Sequence, residues 1–133
     1  MPAVYLDSSA FVKVIVTEPE TAALRAFLGQ RRGGRLVSSA LLRAEAIRAV
    51  RHLGPPALAT VREALRRVDL VGIDDRILDA AGILEPAILR TLDAIHIASA
   101  LALGDDLDSV VTYDERMAEG ARRLGLPVVG PGA

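Results

Sequence analysis

The chain has 133 residues, of which 51% are hydrophobic and 25% are charged, a balance typical of a globular protein and not of a disordered or membrane one. It contains no cysteine, which excludes disulfides, thiolate nucleophiles and cysteine-bound zinc or iron–sulfur centres. The net charge is −1, but residues 1–67 carry 11 basic and 5 acidic side chains (+6), whereas residues 68–133 carry 5 and 12 (−7). This asymmetry fits a surface that faces nucleic acid, and it equally fits solvated helix faces.

The length predicts one domain, residues 1–133, with a single core. The N-terminal segment lacks a basic region followed by a long apolar one, and no apolar run approaches the ~20 residues that a membrane-spanning helix needs. We therefore expect a cytoplasmic protein that makes no contact with a membrane.

Strand signals and helix signals alternate along the chain. Short apolar runs predict strands over residues 3–6, 35–38, 68–73, 109–112 and 127–129. Apolar spacing and capping residues predict helices over residues 10–16, 18–28, 39–53, 57–67, 77–84, 92–103 and about 114–125. Such alternation favours parallel strands joined by right-handed crossovers. We predict an α/β fold, a three-layer α/β/α sandwich with a five-stranded, mostly parallel sheet.

Two of the predicted helices have informative local patterns. Thr17, Pro19 and Glu20 match a capping box, which predicts that the second helix opens near Glu18. The helix over residues 92–103 is apolar nearly all round, which is typical of a helix packed on several sides.

Two aspartates follow predicted strands. Asp7 comes directly after the first strand and Asp114 just after the fourth, so a parallel sheet would bring both to one edge. Each also has a purely structural interpretation, because aspartate is a common helix N-cap and is favourable at the positive end of a helix.

Two further carboxylates lie on predicted helices. Glu45 has apolar neighbours one turn away on the same side of its helix, which indicates a side facing protein; the alternative is a surface ion pair with Arg48. Asp93, His96 and Ser99 form one polar line along the otherwise apolar sixth helix, so that line must face something polar. For His96 a hydrogen-bonded core histidine beside the site is favoured over a metal ligand.

Convergence of these carboxylates would require a cation. Several carboxylates in one place raise one another's pKa values and hold protons at neutral pH unless a cation lies among them. An all-oxygen site suits Mg²⁺ or Mn²⁺, which can activate water and bind a phosphoryl oxygen. The natural substrate class is a phosphodiester or phosphate.

At this point the sequence resembles the PIN-domain ribonucleases, and more closely the VapC toxin family of bacterial and archaeal toxin–antitoxin pairs. The motifs are Val4-Tyr5-Leu6-Asp7-Ser8-Ser9-Ala10 with Val12-Lys13, Leu41-Leu42-Arg43-Ala44-Glu45, Leu92-Asp93-Ala94-Ile95-His96-Ile97-Ala98-Ser99-Ala100, and Val111-Thr112-Tyr113-Asp114. The four motifs occur in order, and the resemblance, which includes the closing Leu124-Gly125-Leu126-Pro127-Val128, covers nearly the whole chain.

The resemblance implies a Mg²⁺- or Mn²⁺-dependent endoribonuclease, with Asp7 and Asp93 as principal metal ligands and Asp114 completing the site. Glu45 would orient ligands and water or assist proton transfer. Ser9 and Thr112 match positions that support the site by hydrogen bonds. The family also implies a homodimer and a VapB-like antitoxin. Glu115 follows Asp114 where some relatives carry a further aspartate soon afterwards, which leaves the number of metals open.

Three alternatives remain at this stage. A phosphate-accepting receiver domain is disfavoured, because the only lysine is Lys13 in the first helix and Asp7 has no adjacent acid. A PIN fold that only binds RNA or a protein would not need all four acids, whereas an RNA-processing nuclease without an antitoxin stays open.

With aromatic residues at 3%, RNA contacts are expected from arginines rather than from base stacking. The candidates are Arg31, Arg32, Arg35, Arg43, Arg48 and Arg51.

Overall fold

The structure, a computed structural model, describes residues 2–31 and 33–133. Within those residues five strands form one sheet in the order β3-β2-β1-β4-β5. The strands are β1 (Ala3–Leu6), β2 (Arg35–Ser39), β3 (Asp69–Val71), β4 (Leu107–Val111) and β5 (Val128–Val129). Every pairing in this sheet is parallel, so all the strands have their carboxyl ends at one edge. The predicted parallel sheet is confirmed.

Helices cover both faces of the sheet. They are α1 (Ser8–Ile15), α2 (Thr21–Gly29), α3 (Leu42–Val50), α4 (Pro55–Leu65), α5 (Asp75–Gly82), α6 (Thr91–Leu101) and α7 (Glu115–Arg123). Side chains of β1 alternate between the faces: Val4 and Leu6 pack with Leu24 of α2, whereas Tyr5 packs with Ala100 of α6. The predicted three-layer α/β/α sandwich is therefore confirmed.

Helix α6 lies in the middle of one layer, as its apolar composition predicts. Its residues from Ala94 to Ala100 are all buried. Ile95 packs against Ile77 of α5, and Ile97 packs against Met117 of α7. A helix enclosed by the sheet and by two other helices has little surface left for water, so its few polar side chains must find partners inside the protein.

The predicted capping box is wrong. Helix α2 begins at Thr21, and Glu20 at its N-cap makes no side-chain capping bond. The carboxylates of Glu18 and Glu20 instead bind Nζ of Lys13 at 2.5 and 2.9 Å. The Thr21 hydroxyl accepts a hydrogen bond from the backbone N–H of Glu18 at 2.9 Å and donates one to the carbonyl of Lys13 at 2.7 Å. The carboxylates of Glu18 and Glu20 thus bind a lysine of α1 instead of the backbone N–H groups at the start of α2.

Helix α3 is shorter than predicted. Ser39 belongs to β2, and its hydroxyl accepts a hydrogen bond from the backbone N–H of Leu41 at 3.1 Å, so the chain turns before the helix begins. The helix ends at Val50 and is followed by one 3₁₀ turn, Arg51–Leu53.

Among the described residues, no helix combines the length and the apolar character that crossing a membrane requires.

Candidate active site

Asp7 lies buried at the carboxyl end of β1, where it is the N-cap of α1 and is 2% exposed. Its Oδ1 accepts hydrogen bonds from the Ser9 hydroxyl at 2.6 Å and from the backbone N–H of Ala10 at 3.0 Å. Its Oδ2 accepts one from the Thr112 hydroxyl at 2.5 Å. Burial raises the pKa of Asp7 above its usual value, although these hydrogen bonds oppose the rise.

The two hydroxyl groups that hold Asp7 also join the loops after β1 and β4. Ser9 Oγ accepts a hydrogen bond from the backbone N–H of Tyr113 at 3.0 Å, and Thr112 Oγ1 accepts one from the backbone N–H of Asp114 at 3.1 Å. Ser9, in the first turn of α1, donates to Asp7 and accepts from the loop after β4, whereas Thr112 donates across to Asp7 and accepts from the backbone of its own loop. The orientation of the Asp7 carboxylate is therefore fixed by residues that follow two neighbouring strands, β1 and β4.

Asp93 and Asp114 lie close enough to each other to interact electrostatically. Asp114 is the exposed N-cap of α7, where its Oδ1 accepts a hydrogen bond from the backbone N–H of Met117 at 2.9 Å. Asp93 is partly buried in the first turn of α6. Burial, and then the charge of Asp114, raise the pKa of Asp93, against the opposing effects of His96 and Arg116.

Glu45 is linked to the sheet by a buried histidine. Its Oε1 is 2.6 Å from Nε2 of His96, and Nδ1 of the same ring is 2.7 Å from the Tyr5 hydroxyl. His96 is 1% exposed and Tyr5 is fully buried, which raises the pKa of Tyr5. His96 is thus a hydrogen-bonded core histidine beside the site. Tyr5 was not among the predicted site residues, although its position two residues before Asp7 puts both on one face of the strand.

The four carboxylates do not form a ready-made cage. In residues 2–31 and 33–133 no group of three or more acidic or histidine side chains already has the arrangement of a metal site. Three of the four are anchored separately: Asp7 and Asp114 cap helices, and Glu45 binds His96. The oxygen donors nevertheless suit Mg²⁺, which usually binds one or two carboxylates and completes its shell with water and substrate oxygens.

The candidate arginines fall into two groups. Arg31 pairs with Asp108 at 3.0 Å and Arg35 pairs with Asp69 at 3.7 Å, at the amino ends of the strands and thus at the edge opposite Asp7. By contrast, Arg43, Arg48 and Arg51 are exposed on α3 and the turn after it, and none of them forms an ion pair in the described part of the chain. Arg32 lies outside the described residues.

Comparison with known proteins assigns the family. The model of the PIN domain matches residues 4–123 of this chain. The chain is a PIN-domain protein. Among curated proteins it is 52% identical to Ribonuclease VapC46 of Mycobacterium tuberculosis strain H37Rv, over 98% of this chain and 99% of the relative. It is 42% identical to Ribonuclease VapC35 of the same strain, over 97% of both chains, which puts this PIN domain in the VapC family.

Solved structures support the same fold. A crystal structure of M. tuberculosis VapC20, described as a sarcin–ricin loop cleaving toxin, has a TM-score of 0.75 at 14% identity, over 96% of this chain and 99% of that one. A crystal structure of VapBC2 from Rickettsia felis bound to a promoter DNA fragment has a TM-score of 0.70 at 14% identity, over 97% and 98%. At this identity the match concerns the PIN fold alone.

A groove of about 390 Å³ lies between α1 and α3 of this PIN domain, with Glu45 among its lining residues. Its lining residues are Ser8, Ser9, Val12, Lys13, Glu18, Glu45, Ala49 and Tyr113. The Lys13 ammonium lies 4.9 Å from the centre of the Tyr113 ring while it binds Glu18 and Glu20. Lys13 was not predicted as a residue lining the site, because its contacts with Glu18, Glu20 and Tyr113 join separate segments of the chain.

Replacement of Asp7 by asparagine is expected to stabilise the metal-free PIN domain at neutral pH. Burial raises the folded-state pKa of Asp7, so the charged carboxylate costs stability above that pKa. The cost disappears as the pH falls below the usual carboxylate range, where the side chain is protonated in both states. Asparagine is uncharged and keeps the capping oxygen.

Thermal denaturation in EDTA from about pH 3 to 8 measures this effect. We expect the melting temperature of Asp7→Asn to exceed that of the wild type at neutral pH, and the difference between the two to become smaller as the pH falls. A variant that melts below the wild type throughout would show that the hydrogen bonds of the carboxylate outweigh its desolvation.

Proposed function

We propose that this PIN domain is a Mg²⁺- or Mn²⁺-dependent endoribonuclease that hydrolyses RNA phosphodiester bonds in the cytoplasm, with residues 1–133 acting as one nuclease domain. The proposal is carried by contacts among three aspartates: the Thr112 hydroxyl bonds both the Asp7 carboxylate and the backbone N–H of Asp114, and Asp114 interacts electrostatically with Asp93. The names of the curated relatives, which are ribonucleases, support the choice of RNA as substrate.

Asp7, Asp93 and Asp114 are the residues that would hold the metal ion. The raised pKa values of Asp7 and Asp93 support this assignment, because a nearby cation would remove the cost of charging these two carboxylates. When bound, a divalent ion supplies an activated water and neutralises charge that develops on the phosphate oxygens.

The chain's own groups orient the site. Ser9 and Thr112 hold the Asp7 carboxylate in one direction through bonds of 2.6 and 2.5 Å, which keeps its lone pairs aimed consistently. Glu45 is hydrogen-bonded through Oε1, and within the described residues no hydrogen bond engages its Oε2. That free oxygen is suited to orient the attacking water or to accept its proton.

We further propose that the protein is the toxin of a VapBC-type pair, acts as a homodimer and is blocked by a small VapB-like antitoxin. The VapC names of its relatives and the VapBC2 complex among the structural neighbours support this role. An RNA-processing nuclease without an antitoxin would use the same chemistry. A short overlapping reading frame just upstream, encoding a protein that co-purifies with this chain and inhibits it, distinguishes the two; absence of such a frame would favour the processing enzyme.

The nuclease activity is tested with end-labelled RNA. Purified protein is expected to cut single-stranded or loop RNA internally when Mg²⁺ or Mn²⁺ is present, and sequencing of the product ends identifies the cleaved positions. A preparation that binds metal and RNA yet leaves a mixed cellular RNA pool intact would contradict the proposal.

The unpaired arginines of α3 are expected to carry RNA backbone binding. Replacement of Arg43 or Arg48 by glutamine should weaken RNA binding in EDTA and reduce the slope of log affinity against log salt by about 0.7 for each lost phosphate contact. Arg31→Gln and Arg35→Gln are the matched controls, because both arginines pair with aspartates at the opposite edge. Equal losses in the controls and the α3 variants would exclude a localised surface.

A further inference from the structure

We propose that Tyr5 and His96 are positioning residues for Glu45, forming a buried relay that presents a single N–H donor to the Glu45 carboxylate and fixes the direction of its free oxygen. The consequence for catalysis rests on the proposed nuclease function. The relay itself is a property of the folded chain and can be tested without any substrate.

The relay joins three separate elements. Tyr5 comes from the central strand β1, His96 from the buried helix α6, and Glu45 from the first turns of α3. The exposed fraction is zero for Tyr5 and 1% for His96, and it rises to 23% for the side chain of Glu45. The rings of Tyr5 and His96 meet edge to face, with centroids 5.9 Å apart. Only the last member of the relay therefore reaches solvent.

The donors and acceptors of the relay follow from chemistry. An ionised carboxylate can only accept, so the 2.6 Å contact to Glu45 requires a proton on Nε2 of His96. In the neutral imidazole that the proposal assigns, the lone pair is on Nδ1, so the Tyr5 hydroxyl, 2.7 Å away, is the donor. Tyr5 thus occupies the nitrogen that would otherwise compete for the proton, and the ring cannot rotate without breaking both bonds.

The orientation of the Glu45 carboxylate needs to be fixed because this side chain is partly exposed to solvent. A partly exposed glutamate samples several rotamers, and holding one of them costs side-chain entropy at each turnover. With Oε1 bound to His96, the position of Oε2 follows from the geometry of the carboxylate. Hydrogen-bond partners that orient the ligands of metal sites commonly contribute about 10–100-fold to metal affinity or activity, and we expect a similar scale for groups that orient Glu45.

A purely structural role for His96 predicts a different response to substitution. Glutamine places its amide nitrogen near the position of Nε2, whereas asparagine places it near the position of Nδ1. His96→Gln therefore keeps the donor to Glu45 and loses the bond to Tyr5, whereas His96→Asn does the reverse. If His96 only fills the core, the two amides should be equivalent.

The kinetic arm of the test uses single-turnover and steady-state RNA cleavage. His96→Asn is expected to lower kcat by about 10–100-fold with little change in KM, and His96→Gln to lose much less. Tyr5→Phe, which removes only the hydroxyl, should also lower kcat without altering KM, by about threefold to tenfold. Full wild-type kcat in both His96→Asn and Tyr5→Phe would overturn the positioning role.

The spectroscopic arm uses the metal-free protein and needs no activity. The chain has two histidines, so His52→Gln, at an exposed position, leaves His96 as the only ring seen by ¹⁵N NMR. We expect a proton on Nε2 and a hydrogen-bonded lone pair on Nδ1, with the Nδ1 resonance shifting in Tyr5→Phe. A proton on Nδ1 of a neutral ring, or averaged nitrogens, would overturn the relay.

The two arms separate the relay from the nuclease proposal. If the wild type cuts no RNA, the proposed function fails while the NMR result still decides the relay. If the wild type cuts RNA and the variants cut equally well, the relay fails as a positioning device while the nuclease function stands.

Discussion

The Asp7→Asn variant is expected to lose metal-dependent RNA cleavage by at least ~10³-fold, because it removes a charged ligand worth several kcal/mol to the reaction. Asp7 is the most deeply buried of the four carboxylates, and both of its oxygens are held by donors from the chain. Asparagine is nearly identical in size and keeps the N-cap oxygen, so the loss would reflect charge and not misfolding. Single-turnover cleavage of end-labelled RNA measures it.

Asp74→Asn is the matched control for this variant. Asp74 follows β3 at the same edge of the sheet and caps α5, where its Oδ1 accepts a hydrogen bond from the backbone N–H of Ile77 at 3.0 Å. It is therefore an N-cap aspartate outside the proposed metal site. Its replacement should leave cleavage unchanged, whereas equal losses at positions 7 and 74 would attribute the effect to helix capping.

Asp93→Asn is expected to cause a loss of the same order, at least ~10³-fold. Asp93 is partly buried and lies in the repulsive field of Asp114, an arrangement that favours a cation between the two.

Asp114→Asn should cause a smaller loss of RNA cleavage, and higher Mn²⁺ concentrations should restore part of the activity. The reason is that Asp114 is exposed, so water can take the place of its carboxylate.

Asp75→Asn serves as the control for Asp93, because Asp75 is the acidic residue in the first turn of α5 as Asp93 is in the first turn of α6. Cleavage by Asp75→Asn should equal that of the wild type. If Asp93→Asn retained activity at saturating Mn²⁺, Asp93 would not be a principal ligand.

The sequence predicts the architecture well, because each element has a local cause. Asp7 directly follows β1 and Asp114 lies in the short loop after β4, and both residues cap the following helices as their types favour. Helix α6 is apolar all round and is enclosed on several sides. The alternation of strands and helices then leaves parallel pairing as the natural topology.

The details that were missed depend on contacts between distant residues. The capping box at Thr17 fails because Lys13, from another helix, binds both Glu18 and Glu20. In the relay, His96 contacts Tyr5, which is 91 positions away in the sequence, and Glu45, which is 51 positions away. No local sequence pattern reveals contacts over such separations.

The acidic edge itself was predicted only in part. Sequence spacing brings carboxylates to one edge of the sheet, but it does not specify how closely their oxygens approach. In the folded chain Asp7, Asp114 and Glu45 each have their own hydrogen-bond partners, and repulsion between like charges disfavours a closed cluster. Distances of this kind are set by packing and hydrogen bonding, which only the structure provides.

The account depends on a divalent ion held at the carboxyl edge of the sheet. Its most direct test is cleavage of one RNA by a single protein sample, first in excess EDTA and then after Mn²⁺ is added beyond the chelator. The account predicts no cleavage in EDTA and full recovery with Mn²⁺ in the wild type, with no recovery in Asp7→Asn. Undiminished cleavage in excess EDTA would contradict it.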